Sequence, residues 1–259
     1  MNDETKKSAE EVIAKIDKFD ELPDAPPKRK IKLSWVGKIA TAIVAMWLVI
    51  AVVGPFIAPY HEMDMDGEDS FLDAYDNFYL GTDSLGRDTL SRILWGARMT
   101  IGISLGATLL AYAIGITLGI AAAVKGGWMD MSISRVNDAI LSLPSIMLGL
   151  IAIAAFGSSI PILITIAAII YASSVFRIAR ALGQDIMVQD FVESAKARGE
   201  SIWYIVRAEV LPNAAMPLAT DFGLRLVFVV LFISSLSFLG LGVQPPQADW
   251  GSMVRETQA

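Results

Sequence analysis

Five long apolar runs divide the sequence, and charged segments separate them. A helix that crosses the hydrocarbon core of a bilayer needs about 20 apolar residues, because each residue advances the helix by about 1.5 Å. Runs of roughly this length occur at 39–58, 99–124, 139–156, 160–176 and 226–243. The pattern therefore predicts an all-α membrane protein with five transmembrane helices.

Small residues predict how the second run packs. It contains two GxxxG pairs, Gly102 with Gly106 and Gly115 with Gly119. At about 100° per residue the two pairs lie on roughly opposite sides of a helix. Because small residues allow close approach of helices in lipid, we expect this helix to be packed on two sides.

Three local signals refine the connections between the runs. Residues 157–161 are too few for anything but a tight turn, so the third and fourth helices should form a hairpin. Pro144 lacks a backbone donor and should kink the third helix. Gly96 should interrupt the helix before the second run, which leaves residues 88–95 as a separate interfacial helix. We favour an anchoring role for that helix over direct contact with a substrate.

The charges are segregated along the chain and predict its orientation. The first 38 residues hold nine Lys or Arg, whereas residues 59–98 hold nine carboxylates against three arginines. The positive-inside rule places the N-terminus in the cytoplasm and the acidic loop outside. We divide the chain into a cytoplasmic tail (1–34), a first transmembrane helix with a periplasmic loop and interfacial helix (35–98), and a transmembrane core (99–259).

The composition supports the membrane class and excludes several chemistries. Hydrophobic residues make up 54% of the 259 residues and the mean hydropathy is +0.53. There is no cysteine, which excludes disulfides and thiolate sites, and the single histidine, His61, is most simply a solvated loop residue. No phosphate-binding loop, metal-ligand motif or catalytic constellation is present, so we expect no catalytic residue, cofactor or metal and no nucleic-acid partner.

The energy for any transport must then come from another subunit. The predicted spans contain no ionisable residue that could relay protons or ions, and the chain has no nucleotide motif of its own. The charged stretch 191–213 predicts a helix to Arg198, a left-handed cap at Gly199, and a second helix over 201–210 that stops before Pro212. Its residues Trp203, Val206 and Val210 share a face beside Arg207, which suits docking to a cytoplasmic partner better than a solvated connector.

These residues resemble a known family. The triplet Glu193-Ser194-Ala195, followed by Gly199 and then Leu211-Pro212, is similar to the EAA loop of ABC importer permeases, here residues 185–213. The pattern LGTD-x-x-GRD-x-x-SR at 80–92, the run FLGLG at 238–242 and the pair WG at 250–251 resemble the dipeptide, oligopeptide and nickel branch. The resemblance covers about residues 75–256.

The resemblance implies a type I importer fold and a set of partners. It implies a second homologous permease subunit in a heterodimer, two cytoplasmic ATPases that bind the ATP, a periplasmic or lipid-anchored binding protein, and an inner (plasma) membrane location. By the same resemblance, a cytoplasmic coupling helix in the 185–213 loop docks the ATPase. The resemblance and the helix face that carries Trp203 beside Arg207 together predict the docking residues. They are Glu193, Ser194, Ala195, Gly199, Trp203, Arg207, Leu211 and Pro212.

Some features depart from the family, and alternatives stay open. Ser194 and Glu209 are mild departures from the loop pattern. The family has six transmembrane helices where five are predicted here, so we expect either a fragment or a lost last helix with poor assembly. The favoured cargo is a di- or oligopeptide, and nickel or another small solute is the alternative within the family. An ion-coupled carrier or a membrane scaffold is the alternative from another class.

Overall fold

The structure is a computed structural model that describes residues 34–65, 67, 70–75 and 78–258. The predicted cytoplasmic tail, residues 1–34, lies outside the described residues except for Ser34. The chain divides into two compact units, Met1–Val44 and Ala45–Ala259, and the first helix begins in one and ends in the other.

Helices provide nearly all of the regular structure. They are α1 (Trp35–Ile57), α2 (Thr89–Lys125), α3 (Gly127–Leu141), α4 (Ser145–Phe156), α5 (Ile160–Met187), α6 (Asp190–Ala197), α7 (Ile202–Phe238) and α8 (Trp250–Glu256). Helix α7 is α-helical at Ile202–Tyr204 and Leu211–Phe238, with a π-helical stretch at Ile205–Val210 between them. Among the described residues there are two isolated β-bridges and no strand.

The helices match the predicted membrane class. Helices α1, α2, α5 and α7 are long and apolar enough to cross a bilayer, and α3 with α4 forms a bent pair that gives a fifth span if it is counted as one. The prediction of an all-α membrane protein is confirmed. The short turn between α4 and α5 at 157–159 also confirms the predicted hairpin.

The predicted interfacial helix is wrong as a separate element. Helix α2 runs without a break from Thr89, so Gly96 does not interrupt it, and the proposed boundary at residue 98 falls inside the helix. Asp88 caps its start by accepting a hydrogen bond from the backbone N–H of Ser91 at 2.8 Å. Glycine weakens a helix by only about 1 kcal/mol. Here Gly96 also gives room to Trp250, whose Cδ1 would lie 3.1 Å from an added Cβ.

The third span is broken rather than continuous over 139–156. Helices α3 and α4 meet at 90° across residues 142–144. The kink predicted at Pro144 is confirmed, but it is a full change of direction. Pro144 has no N–H to continue the ladder of α3, and it instead precedes the first residue of α4, where a missing donor costs nothing.

Among the described residues, helices α2 and α5 form the most extensive helix contact. A Cβ added at Gly115 would lie 2.6 Å from Val175 Cβ, and one at Gly119 would lie 2.7 Å from the carbonyl oxygen of Phe176. The second GxxxG pair therefore sets the distance between the two backbones. The first pair does not, because no described atom lies within 4 Å of a Cβ at Gly102. The prediction that both glycine pairs allow close helix packing is therefore confirmed only for the second pair.

Helix α7 corrects two further predictions. The helix predicted to stop before Pro212 continues to Phe238, so the fifth span begins well before residue 226. The preceding π-helical stretch widens the turn, and Pro212 sits at the second position of the α-helical part, where proline is tolerated. The longer helix also carries Asp221 and Arg225, which the predicted span over 226–243 left out.

Candidate functional site

The 185–213 segment folds onto the ends of α2 and α5. A buried apolar cluster holds it there, formed by Ile120, Val192, Ala195, Ile205 and Val210. Ala195 is completely buried in this contact, which explains the need for a small residue at that position. The segment is therefore fixed to the pair of helices that make the most extensive contact among the described residues.

Gly199 separates α6 from α7. Its φ of +80° lies in the left-handed region, and its N–H donates to the carbonyl of Lys196 at 2.9 Å. Ser201 then begins α7, because its hydroxyl accepts a hydrogen bond from the N–H of Tyr204 at 3.2 Å. The left-handed cap predicted at this glycine is confirmed.

The outer surface of the segment is rich in exposed apolar side chains. Trp203 is 73% exposed and Ile202 is 64% exposed, while Val188, Phe191 and Tyr204 are also exposed. The predicted common face of Trp203 and Val210 is wrong, because Val210 is buried. In the π-helical stretch the buried positions are five residues apart, Ile205 and Val210, instead of following an α-helical period.

The other predicted docking residues lie at the surface of the same segment. Glu193, Ser194, Arg207, Leu211 and Pro212 are all exposed. The structure therefore brings the predicted set together on one segment, with Ala195 as the buried member. Whether the exposed members contact an ATPase stays a prediction at this point.

A second group of charged residues lies at the start of α2. Asp83 accepts hydrogen bonds from the Arg87 side chain at 2.7 Å, from the Leu85 and Arg87 backbone N–H groups, and from Arg92. Glu256 of α8 accepts from both arginines, with Arg87 at 3.1 Å. We call these four residues the acid–base cluster. It joins the sequence pattern of residues 80–92 to α8.

Burial and charge balance indicate that the acid–base cluster is structural. The side chains of Arg87 and Arg92 are only 5% and 2% exposed. Burial alone would raise the pKa of Asp83, but the hydrogen bonds from Arg87 and Leu85 and the charge of Arg92 outweigh it and lower that pKa. Two cations facing two carboxylates leave no excess charge for a ligand. The acid–base cluster therefore attaches the start of α2 to α8.

The FLGLG run at 238–242 and the WG pair at 250–251 lie at the end of α7 and the start of α8. Gly240, with φ +83°, ends α7, and the N–H of Leu241 donates to the carbonyl of Leu236 at 2.9 Å. Trp250 then donates its indole N–H to the carbonyl of Ile93 at 3.1 Å, and its backbone N–H to Thr100. These contacts attach the start of α8 to α2.

A third charged group lies midway along α7. Asp221 accepts hydrogen bonds from the Tyr112 hydroxyl of α2 and from Arg225, the latter at 2.9 Å. We call Tyr112, Asp221 and Arg225 the mid-helix cluster. Sequence reasoning missed it because the span was begun at residue 226. The opposite charges at an i, i+4 spacing were a usable signal for a helix through both residues.

Comparisons with known proteins agree with this architecture. The family described as "Binding-protein-dependent transport system inner membrane component" matches residues 115–259. The chain is 34% identical over 239 residues to the glutathione transport system permease protein GsiD of Escherichia coli, covering 89% of this chain and 77% of that protein. It is 31% identical over 230 residues to the dipeptide transport system permease protein DppC of Alkalihalophilus pseudofirmus, covering 89% and 75%.

The chain belongs to this permease family. It is a membrane subunit of a binding-protein-dependent ABC importer, with the type I transmembrane fold expected from the sequence. Such a permease is a transport subunit without catalysis of its own, and ATPase and binding-protein subunits work with it. It is a multi-pass protein of the inner membrane. Membership of this family rules out the two alternatives from another class, an ion-coupled carrier and a membrane scaffold.

Proposed function

We propose that this permease forms half of a pathway for small peptides that a binding protein delivers. The observation that carries the proposal is the similarity over 89% of the chain to permeases named for two peptide cargoes, glutathione and dipeptides. Both cargoes are short peptides with free charged termini. Nickel or another small solute was the alternative within the family, and neither of these two relatives is named for it.

We propose further that the exposed surface of the 185–213 segment docks an ATPase subunit. Trp203 and its exposed apolar neighbours offer the kind of aromatic anchor that carries binding energy at interfaces. Glu193 and Arg207 stand beside them as charged residues suited to the rim. Because Val192, Ala195 and Ile205 are buried against α2 and α5, movement of the ATPase would move these helices.

The proposed assembly has two permeases and two ATPases. This chain pairs with a second homologous permease, each of the two docks one ATPase, and the N-terminus lies in the cytoplasm on the docking side. The basic residues of the first 38 positions and the acidic loop at 59–98 support this orientation. The acid–base cluster is then on the outer side, where the binding protein docks.

Peptide uptake into vesicles tests the proposal. Vesicles that carry the complete complex, with ATP inside and the binding protein outside, should accumulate radiolabelled dipeptide or glutathione. No uptake should occur without ATP. Glu193→Lys and Gly199→Asp change the docking segment without touching the buried cluster, so uptake and peptide-stimulated ATP hydrolysis should both fall about tenfold or more. A complex that carries nickel ions and no peptide contradicts the proposed cargo.

A further inference from the structure

The mid-helix cluster lies near the middle of α7. Asp221 is 19 positions after Ile202 and 17 before Phe238, which places it about 25–30 Å from each end of α7. The hydrocarbon core is about 30 Å thick. A core that lies wholly within α7 includes Asp221. Ionisable residues at this depth are costly to keep and usually serve a function.

Asp221 is already satisfied within the cluster. One of its carboxylate oxygens accepts from the Arg225 guanidinium and the other accepts from the Tyr112 hydroxyl. With these two charge-assisted bonds it has limited capacity for a further cation. The carboxylate therefore acts to hold and orient its neighbours.

Arg225 keeps unused donors. A guanidinium has five N–H groups, and the pair with Asp221 uses a donor on Nη2. Among the described residues, the buried Nε of Arg225 has no hydrogen-bond partner. Arg225 also interacts with the Tyr112 hydroxyl. A guanidinium that keeps donors beyond one carboxylate and one hydroxyl can accept a second carboxylate.

Arg225 is also accessible from one side of α7. Its side chain is 13% exposed, and it adjoins a face on which Leu224, Val227 and Phe228 are all more than half exposed. Tyr171 of α5 borders this face and donates its hydroxyl to the carbonyl of Phe228 at 3.1 Å. A solute that moves along this face of α7 passes the exposed part of the Arg225 side chain.

We infer that Arg225 binds the terminal carboxylate of the peptide in transit, while Asp221 and Tyr112 position it. This inference rests on the proposed peptide cargo and adds the group that the pathway recognises. The guanidinium exchanges its water for the carboxylate as the peptide passes, and no bond is made or broken. The competing explanation is an ion pair that only joins α2 to α7.

The test compares two cargoes in the complete reconstituted complex. One is an uncharged-side-chain dipeptide with a free C-terminus, and the other is the same dipeptide with a C-terminal amide. The affinity of each for the unchanged binding protein is measured separately and divided out. The remaining ratio of transport kcat/KM, acid over amide, reports recognition by the permease alone.

The variants separate binding from structure. Arg225→Gln alone leaves Asp221 as an unpaired buried charge and endangers folding, so the main variant is Asp221→Asn with Arg225→Gln, which keeps the site neutral. Arg225→Lys keeps the charge but loses the planar donor array. Leu109→Ala, at a similarly exposed apolar position on α2 away from this face, is the matched control.

We expect the wild type and Leu109→Ala to prefer the acid by about 10- to 100-fold, the range for a hydrogen-bonded charged pair. The double variant should lose that preference, and Arg225→Lys should keep part of it. An acid-to-amide ratio that is the same in the wild type and the double variant would overturn the inference, whether or not total uptake falls. If the wild type transports neither peptide, the proposed function itself fails.

Discussion

The glycine contact between α2 and α5 gives a prediction that can be worked out from the structure. Replacing Gly119 by alanine adds one methyl group where three atoms of α5 already stand. They are the Phe176 carbonyl oxygen at 2.7 Å, the Ala179 Cβ at 2.8 Å and the Arg180 backbone nitrogen at 2.9 Å. These atoms belong to the backbone or to a β-carbon, so no rotamer change relieves the clash. The helices must separate by several tenths of an ångström.

The size of the effect follows from a matched comparison. Gly102 lies on the same helix, and a Cβ added there meets no described atom within 4 Å. Both substitutions gain the same helix propensity, about 1 kcal/mol. Only Gly119→Ala adds an overpacking cost of about 1–3 kcal/mol, because van der Waals packing holds membrane helices together. The difference between the variants should therefore be about 1–3 kcal/mol.

Thermal unfolding of the purified protein in detergent measures this difference. For a chain of this size, each kcal/mol corresponds to about 2–4 °C in Tm. Gly119→Ala should unfold below the wild type, and Gly102→Ala should unfold at or above it. Equal Tm values for the two variants would refute the packing account of the second GxxxG pair.

Three further predictions concern other parts of the protein. Gly199→Ala should lower the free energy of unfolding by about 1–2 kcal/mol because the backbone of Gly199 is left-handed. Gly223→Ala, in a helix with open space around it, should not lower it, and the Tm of each variant measures the difference. The pKa of Asp83 is lower in the folded protein than in the unfolded chain, where it is about 3.9. The ionised carboxylate therefore stabilises the fold fully above about pH 3.9, and this stabilisation is lost as the pH falls through the folded pKa. The Tm difference between the wild type and Asp83→Asn should accordingly shrink below about pH 4. Glu256→Gln leaves Arg87 and Arg92 short of one carboxylate and should make α8 more accessible to protease, while Glu200→Gln, in an exposed pair, should not.

Much of the fold could be predicted from hydrophobic runs and turn residues. The apolar runs located the membrane helices, and Pro144, Gly157 and Gly199 marked real ends or breaks. Helix length was harder to predict. Gly96 and Pro212 were interpreted as stops, yet both lie within continuous helices, because tertiary contact with Trp250 offsets one and a π-helical turn accommodates the other.

The charged groups could be predicted only in part. The 185–213 segment was recognisable because its predicted docking residues are close in sequence. Glu256, in contrast, completes the acid–base cluster from more than 160 positions away, which no local pattern could indicate. The mid-helix cluster depends on Tyr112 of α2 meeting Asp221 of α7, and that contact follows from the packing of the helices rather than from the residues of either one.

The central claim is that the exposed aromatic surface of the 185–213 segment couples this permease to an ATPase. The most direct measurement compares Trp203→Ala with Trp128→Ala in the reconstituted complex, since both tryptophans are highly exposed and only Trp203 lies on the segment. The account predicts that Trp203→Ala weakens binding of the purified ATPase about tenfold or more and lowers ATP-driven uptake, while Trp128→Ala leaves both near wild type. Unchanged ATPase affinity and uptake in Trp203→Ala would contradict it.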